Sequence, residues 1–177
     1  KNYSMKKLKR MTVTRLAENY PVVSREELSS VLGGLGDGDC LFQSIAQATG
    51  YSVQYVQSVF GEWAYQNQPQ YYGDSHTSGY VYAGINGANA EGTAWLLGRF
   101  GLSQTQTPIG SYYDGSGNGG VMVMYGYDKN GTMYGHSVNF LYGDTNGNYY
   151  YYDAQNNVYG SVSAYGGGYW NVMGVYH

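Results

Sequence analysis

Cysteine, charge and long apolar runs are all scarce in this sequence of 177 residues. The single cysteine, Cys40, excludes an internal disulfide and any metal site built from several cysteines. No apolar run is long enough to span a membrane, and the N-terminal residues lack the apolar segment of an ordinary secretory signal peptide. Charged residues make up only 12% of the chain, about half the usual share. Because no apolar run is long enough, stable insertion into a membrane is not expected.

Glycine and tyrosine replace the missing charge, with 28 and 23 copies. The aromatic residues favour a packed, strand-rich domain over disorder. Residues 1–34 hold seven Lys or Arg against three Glu, a net charge of +4, whereas residues 35–177 hold two against nine acidic residues, a net charge of −7. The acidic part has no basic patch for nucleic acid, and the basic part is expected to lie on it or on an anionic membrane surface.

Hydrophobic spacing predicts helices in the first hundred residues and strands after them. Helical patterns cover residues 4–18, 24–34, 40–50, 53–66 after a cap at Ser52, and 89–100, whereas residues 67–88 are predicted to form a polar loop. Strand patterns cover residues 121–127, 133–142, 148–153, 158–162 and 169–176, and Asn-Gly turns join the first three. Helices followed by an antiparallel meander indicate an α+β fold.

A regular spacing of apolar and acidic residues ends in two glycines in the stretch VSREELSSVLGG, residues 23–34. One explanation is an ordinary amphipathic helix that ends at glycine. The other is a recognition segment, in which the apolar stripe fits a groove and the bare glycine backbone fits a narrow cleft. The positions that carry the pattern are Val23, Glu27, Leu28, Val31, Gly33 and Gly34.

This spacing resembles the double-glycine leader of bacteriocins and related peptides. The resemblance implies that residues 1–34 are a leader, bound through the apolar and acidic positions by an ABC exporter that has its own peptidase domain. Cleavage is then expected between Gly34 and Leu35. The chain would be made in a bacterial cytoplasm and exported after the leader is removed. A leader that stays attached would act as an inhibitory pro-segment, as in a zymogen.

The single cysteine lies in a setting typical of a nucleophile. Cys40 follows the turn LGDGD and begins a predicted helix, where backbone N–H groups and the helix dipole stabilise a thiolate and bind an oxyanion. Such a nucleophile needs a base and a group that orients the base. His136 lies in a predicted strand and Asp153 ends the next one, so antiparallel pairing can bring the two together. Taken singly, each residue is better explained structurally, as a buried cysteine, a packed histidine and a turn aspartate, but their order and flanking motifs together favour a triad.

The order of Cys40, His136 and Asp153 resembles that of the papain-like cysteine peptidases over most of residues 35–177. GHSVNFLYG and YYYYDAQN look like the histidine strand and the aspartate turn of bacterial members, and DGDCLF is similar to the Asp-Gly-x-Cys-Leu-Phe of ovarian-tumour-type deubiquitinases. The resemblance implies a papain-like fold, with N-terminal helices packed on a C-terminal antiparallel sheet. Cys40 would be the nucleophile, His136 the general base and Asp153 the orienting acid. The backbone at Asp37 and Cys40 would form the oxyanion hole, and a peptide or protein would be cleaved without metal or cofactor.

One position departs from the papain-like pattern. Many of these enzymes have a glutamine six residues before the cysteine, and its side chain completes the oxyanion hole, but here that position is Gly34. The hole is then built from backbone or is incomplete. Deamidation and transamidation would use the same triad. The alternative of another class is a secreted bacteriocin-like effector or binding module, in which an inactive papain-like scaffold presents a tyrosine-rich face.

Overall fold

A computed structural model of the chain describes residues 38–105, 120–127, 129–131 and 133–177. The two predicted helices before residue 35 lie outside these residues. The same holds for every position assigned to the leader and for the first oxyanion position: Val23, Glu27, Leu28, Val31, Gly33, Gly34, Leu35 and Asp37.

Five helices occur in the described residues: α1 Cys40–Thr49, α2 Val53–Asn67, α3 Pro69–Tyr72, α4 His76–Asn86 and α5 Ala90–Arg99. Ser52 caps α2 by accepting a hydrogen bond from the backbone N–H of Tyr55, and Asn89 caps α5 in the same way through Gly92. Gly50 ends α1 with a φ of 76°, in the left-handed region that glycine adopts most readily. The helices predicted at residues 40–50, 53–66 and 89–100 are thereby confirmed.

The prediction of a loop across residues 67–88 is wrong, because α3 and α4 occupy most of that stretch. Pro69 begins α3, at a position where a helix has no use for the missing N–H. Ser75 and Ser78 form a capping box at the start of α4, each accepting a hydrogen bond from the backbone N–H of the other. One of the glycines that suggested a loop, Gly79 of α4, allows close contact between helices instead. A Cβ on Gly79 would lie only 2.9 Å from the Cβ of Ala64 in α2.

Six strands in the described part of the chain form one antiparallel sheet: β1 Gln104–Thr105, β2 Val121–Tyr127, β3 Met133–Gly143, β4 Asn148–Asp153, β5 Val158–Ser163 and β6 Asn171–Tyr176. The spatial order is β1-β6-β2-β3-β4-β5, so β2 to β5 are a meander and β6 inserts between β1 and β2. The predicted strands correspond to β2 to β6, with shifts of at most two residues at their ends. β1 was not predicted, since two residues carry too little periodicity.

Two buried polar contacts fix α1 against β3. Ser44 donates its hydroxyl hydrogen to the carbonyl oxygen of Ser137 at 2.9 Å, and the side-chain amide of Asn139 donates to the carbonyl oxygen of Ser44 at 2.8 Å. A buried polar group that lost its partner would cost about 1–3 kcal/mol, so these contacts set the rotation of the helix. Cys40, four residues before Ser44, lies on the same side of α1.

Apolar residues of α1, α2 and α5 form the core together with Val121 and Val123 of β2. The α+β prediction, with helices preceding an antiparallel sheet, is confirmed for the described residues. None of the helices among them is long and apolar enough to cross a membrane.

Candidate active site

The candidate site lies where the pairing between β3 and β4 stops. The pairing runs from Gly143 opposite Tyr149 to Asn139 opposite Tyr152. On β3, His136 lies three residues before Asn139 of the last pair. On β4, Asp153 directly follows Tyr152 of the same pair. The two side chains meet across this opening, with His136 Nε2 2.7 Å from Asp153 Oδ2.

The carboxylate of Asp153 has a hydrogen-bond donor for each of its oxygens. Oδ1 accepts from the backbone N–H groups of Gln155 and Asn156, both at 3.1 Å. Oδ2 accepts from the side-chain amide of Asn156 at 2.8 Å as well as from His136. Burial raises the pKa of Asp153, but the bonds from His136 and Asn156 outweigh it and the pKa is lowered. Asp153 is therefore both a turn residue and the partner of a histidine.

Cys40 completes the site from the helical side. It is the first residue of α1, it is 9% exposed, and it lies close enough to His136 to help raise the pKa of that histidine. Because Nε2 of the imidazole is bound to Asp153, Nδ1 is the ring nitrogen left for an interaction with the sulfur. The structure thus brings together all three residues of the predicted triad.

Among the described residues, no side chain caps the backbone N–H groups at the start of α1. The side chain of Asp39, the residue before the helix, caps none of the N–H groups of the first turn and accepts instead from the side-chain amide of Gln43 at 3.0 Å. The uncapped N–H groups at a helix start suit a developing oxyanion. Of the two predicted oxyanion positions, Cys40 is at this helix start and Asp37 lies outside the described residues.

The charge of His136 follows from its two neighbours. Burial by itself lowers the pKa of this histidine, but its hydrogen bonds and electrostatic interactions with Asp153 and Cys40 raise it to about 10. His136 is therefore an imidazolium at neutral pH. The imidazolium donates one of its N–H groups to the carboxylate of Asp153, and its second N–H group is the one that can be donated to the sulfur of Cys40.

Sequence reasoning missed two contributors to this site. The indole of Trp170 stacks on the imidazole of His136, with ring centroids 5.4 Å apart and an angle of 28° between the planes. Gln155 extends its side-chain amide towards Asp39, at 3.4 Å, and so connects the turn of Asp153 to the residue before Cys40. The amides after Asp153 were visible in the sequence as part of DAQNN. No sequence signal relates Trp170 to His136, because their contact depends on how β6 joins the sheet.

No known protein family, curated protein or solved structure matches this chain. The assignment of roles to Cys40, His136 and Asp153 therefore depends on their chemistry and geometry, together with the sequence motifs.

A pH titration followed by NMR checks the charge of His136. Its Cε1–H signal should stay at the imidazolium position from about pH 6 to about pH 9, because its raised pKa keeps it protonated there. His177 provides an internal contrast, since burial lowers its pKa and its signal should change below about pH 6.5. A midpoint for His136 at or below the ordinary histidine value would contradict the ion-pair geometry.

Proposed function

We propose that residues 35–177 are a cysteine peptidase of the papain-like type, with Cys40, His136 and Asp153 as its triad. One observation carries the proposal: a buried imidazole is hydrogen-bonded to a carboxylate and lies beside the only thiol of the chain, at the start of a helix. A histidine that only packs in a core would not be expected to lie between an ionisable carboxyl group and an ionisable thiol. An aspartate that only shapes a turn has no need of a histidine.

The chemistry begins with the proton on His136 and a thiolate on Cys40. The sulfur attacks the carbonyl carbon of the scissile amide, and the backbone N–H groups at the start of α1 hold the oxygen as it becomes negative. His136 gives the proton from Nδ1 to the leaving amine, and an acyl-enzyme remains. His136 then removes a proton from water, which attacks the thioester, and the acid leaves as the thiolate is restored. Asp153 keeps the ring oriented and stabilises its charge throughout.

The proposal includes the leader. Residues 1–34 would be recognised by an ABC exporter, cut after Gly34 and left behind when the domain leaves a bacterial cell. The support for this part is the spacing of VSREELSSVLGG. Deamidase or transamidase activity would require the same triad with a different acyl acceptor or leaving group.

A binding module on an inactive scaffold is the second candidate, and the tyrosines of the sheet favour it. Tyr142 and Tyr150 stack at 4.5 Å on neighbouring strands, and Tyr152 contacts Tyr159 at 5.0 Å. Tyr159 is 78% exposed. Exposed tyrosines of this kind are common at recognition surfaces, since they bring a large contact area with a polar end.

Alkylation of Cys40 by iodoacetamide separates the two candidates. At about pH 5.5 a free cysteine is almost entirely thiol, so a thiolate paired with His136 should react about 100-fold faster than free cysteine. The added mass reports on Cys40 alone, because the chain has no other thiol. Replacing His136 by Gln should remove the advantage, since the cation beside the sulfur is lost.

His76→Gln is the matched control, because this histidine is exposed and pairs with Glu62 away from the triad. The control should leave the alkylation rate unchanged. A slow reaction in the full chain and an equally slow one in a chain starting at Leu35 would end the peptidase proposal in favour of the binding module. A fast reaction in the shorter chain alone would mean a latent enzyme kept inactive by its leader.

A further inference from the structure

An open cleft lies between α2 and α5, among residues that are not part of the triad. It has a volume of about 560 Å³ and is lined from α2 by residues between Ser58 and Asn67 and from α5 by Trp95 and Arg99. Sites for small ligands usually have volumes of about 300–1,000 Å³, with apolar surface and a few placed polar groups. The volume of this cleft falls within that range.

The apolar part of the cleft is a pair of tryptophans. The indoles of Trp63 and Trp95 stack at a centroid distance of 5.1 Å with an angle of 18° between their planes. Trp63 is buried, whereas Trp95 is only half-buried. The pair therefore gives the cleft a flat, rigid aromatic surface on which a flat apolar face of a ligand can lie.

The polar part of the cleft is divided between acceptors and one cation. Each oxygen of Glu62 already accepts one hydrogen bond, Oε1 from the side-chain amide of Gln66 and Oε2 from His76 Nδ1 at 2.6 Å. Asn67 donates its amide hydrogen to the carbonyl oxygen of Trp63. The amide oxygens of Gln66 and Asn67 are thus left to accept hydrogen bonds, which a ligand with hydroxyl groups can donate.

Arg99 lies in the cleft as a cation without an acid. No salt bridge to Arg99 occurs in the part of the chain that the structure describes, and the nearby carboxylate of Glu62 is used by Gln66 and His76. Arg99 and Lys129 are the only Lys or Arg residues after residue 34, against nine acidic ones. A favourable interaction with the end of α5 explains a basic residue at this position. That interaction does not explain why Arg99 also lines the cleft beside the tryptophans. A planar guanidinium in such a cleft can bind a carboxylate through two hydrogen bonds.

We propose that this cleft binds a saccharide unit that carries a carboxylate. The apolar C–H face of a sugar ring would lie on the tryptophan pair. Its hydroxyl groups would donate to the amide oxygens of Gln66 and Asn67, and its carboxylate would bind Arg99. An aromatic acid without hydroxyl groups has no donors for the amide oxygens, and a neutral sugar has no carboxylate for the guanidinium. The site is independent of the triad, so it stands even if Cys40 is not catalytic.

Titration of the full chain with D-glucuronate, followed by NMR at the indole N–H signals, tests the site. The signals of Trp63 and Trp95 should shift with a Kd on the order of 1 mM, as expected for a ligand of this size, while that of Trp170 stays in place. D-glucose should bind about tenfold more weakly, because it lacks the carboxylate. Benzoate has the carboxylate without the hydroxyl groups and should also bind more weakly than glucuronate.

Arg99→Gln is the decisive variant, since Arg99 is exposed and its replacement does not disturb the core. The variant should bind glucuronate about tenfold more weakly and glucose unchanged. The proposal is overturned if glucuronate shifts neither indole signal, if the variant binds glucuronate as tightly as the parent chain, or if benzoate binds as tightly as glucuronate. Alkylation of Cys40 should be the same in the variant, so the two proposals fail separately.

Discussion

Replacing Cys40 by Ala should abolish peptide hydrolysis, lowering kcat/KM by at least about 10⁴-fold. The reason is that, in the proposed mechanism, the thiol forms the covalent bond to the acyl group. The backbone N–H groups at the start of α1 would remain, but they stabilise charge and form no bond. Release of fluorescent peptides from labelled casein, an unfolded protein substrate, measures the loss.

Cys40→Ser is the informative companion variant. It keeps a side chain of similar size at this 9% exposed position and so preserves the packing at the start of α1. A serine hydroxyl is far less acidic than a thiol, and it cannot form an ion pair with His136 at neutral pH. Activity should therefore be lost in both variants while thermal unfolding changes little in Cys40→Ser. Hydrolysis that persists in Cys40→Ala at the parent rate would show that the triad is not the catalytic centre.

Replacing Asp153 by Asn should lower kcat by about 100-fold or more. The new side chain keeps one oxygen, which can still accept from the N–H groups of Gln155 and Asn156, so the turn should survive. It loses the negative charge beside His136, and the imidazolium then lacks its main support. The pKa of His136 should fall, and its NMR signal should titrate at lower pH than in the parent chain.

Asp144 offers a matched control for that substitution. It too lies in a turn between strands, and its Oδ1 accepts from the backbone N–H groups of Asn146 and Asn148 at 2.9 and 2.8 Å. It bonds no histidine. Asp144→Asn should therefore change stability slightly and leave kcat unchanged. If Asp153→Asn resembled Asp144→Asn in both rate and histidine titration, Asp153 would be a turn residue and nothing more.

The parts of the site that the sequence predicted are those set by local rules. Ser52 and Asn89 cap the starts of α2 and α5 with their side chains, and Gly50 ends α1. These three helices could therefore be predicted from a few residues each. The hairpin signal at residues 144–147 placed β3 beside β4. That pairing is what brings His136 near Asp153, although their seventeen-residue separation alone does not fix the register.

The parts that the sequence did not predict depend on contacts between distant elements. Gly79 of α4 allows close contact with Ala64 of α2, so a glycine-rich stretch that looked like a loop is helical. Trp170 reaches His136 because β6 pairs with β2 rather than with β5, the strand before it in the chain. Local patterns contain no information on such pairings, since the deciding residues lie far apart in sequence.

The position of β6 bears on the order in which the molecule is assembled. The meander from β2 to β5 can form through short turns, whereas β6 has to return past three strands to pair with β2. Pairings of such long range form late, because the entropy of closing the loop is lost before the contacts are gained. Trp170 directly precedes β6, so the indole covers the histidine only when the sheet is finished. The stacked arrangement of Trp170 on His136 is therefore expected only in chains whose sheet has formed completely.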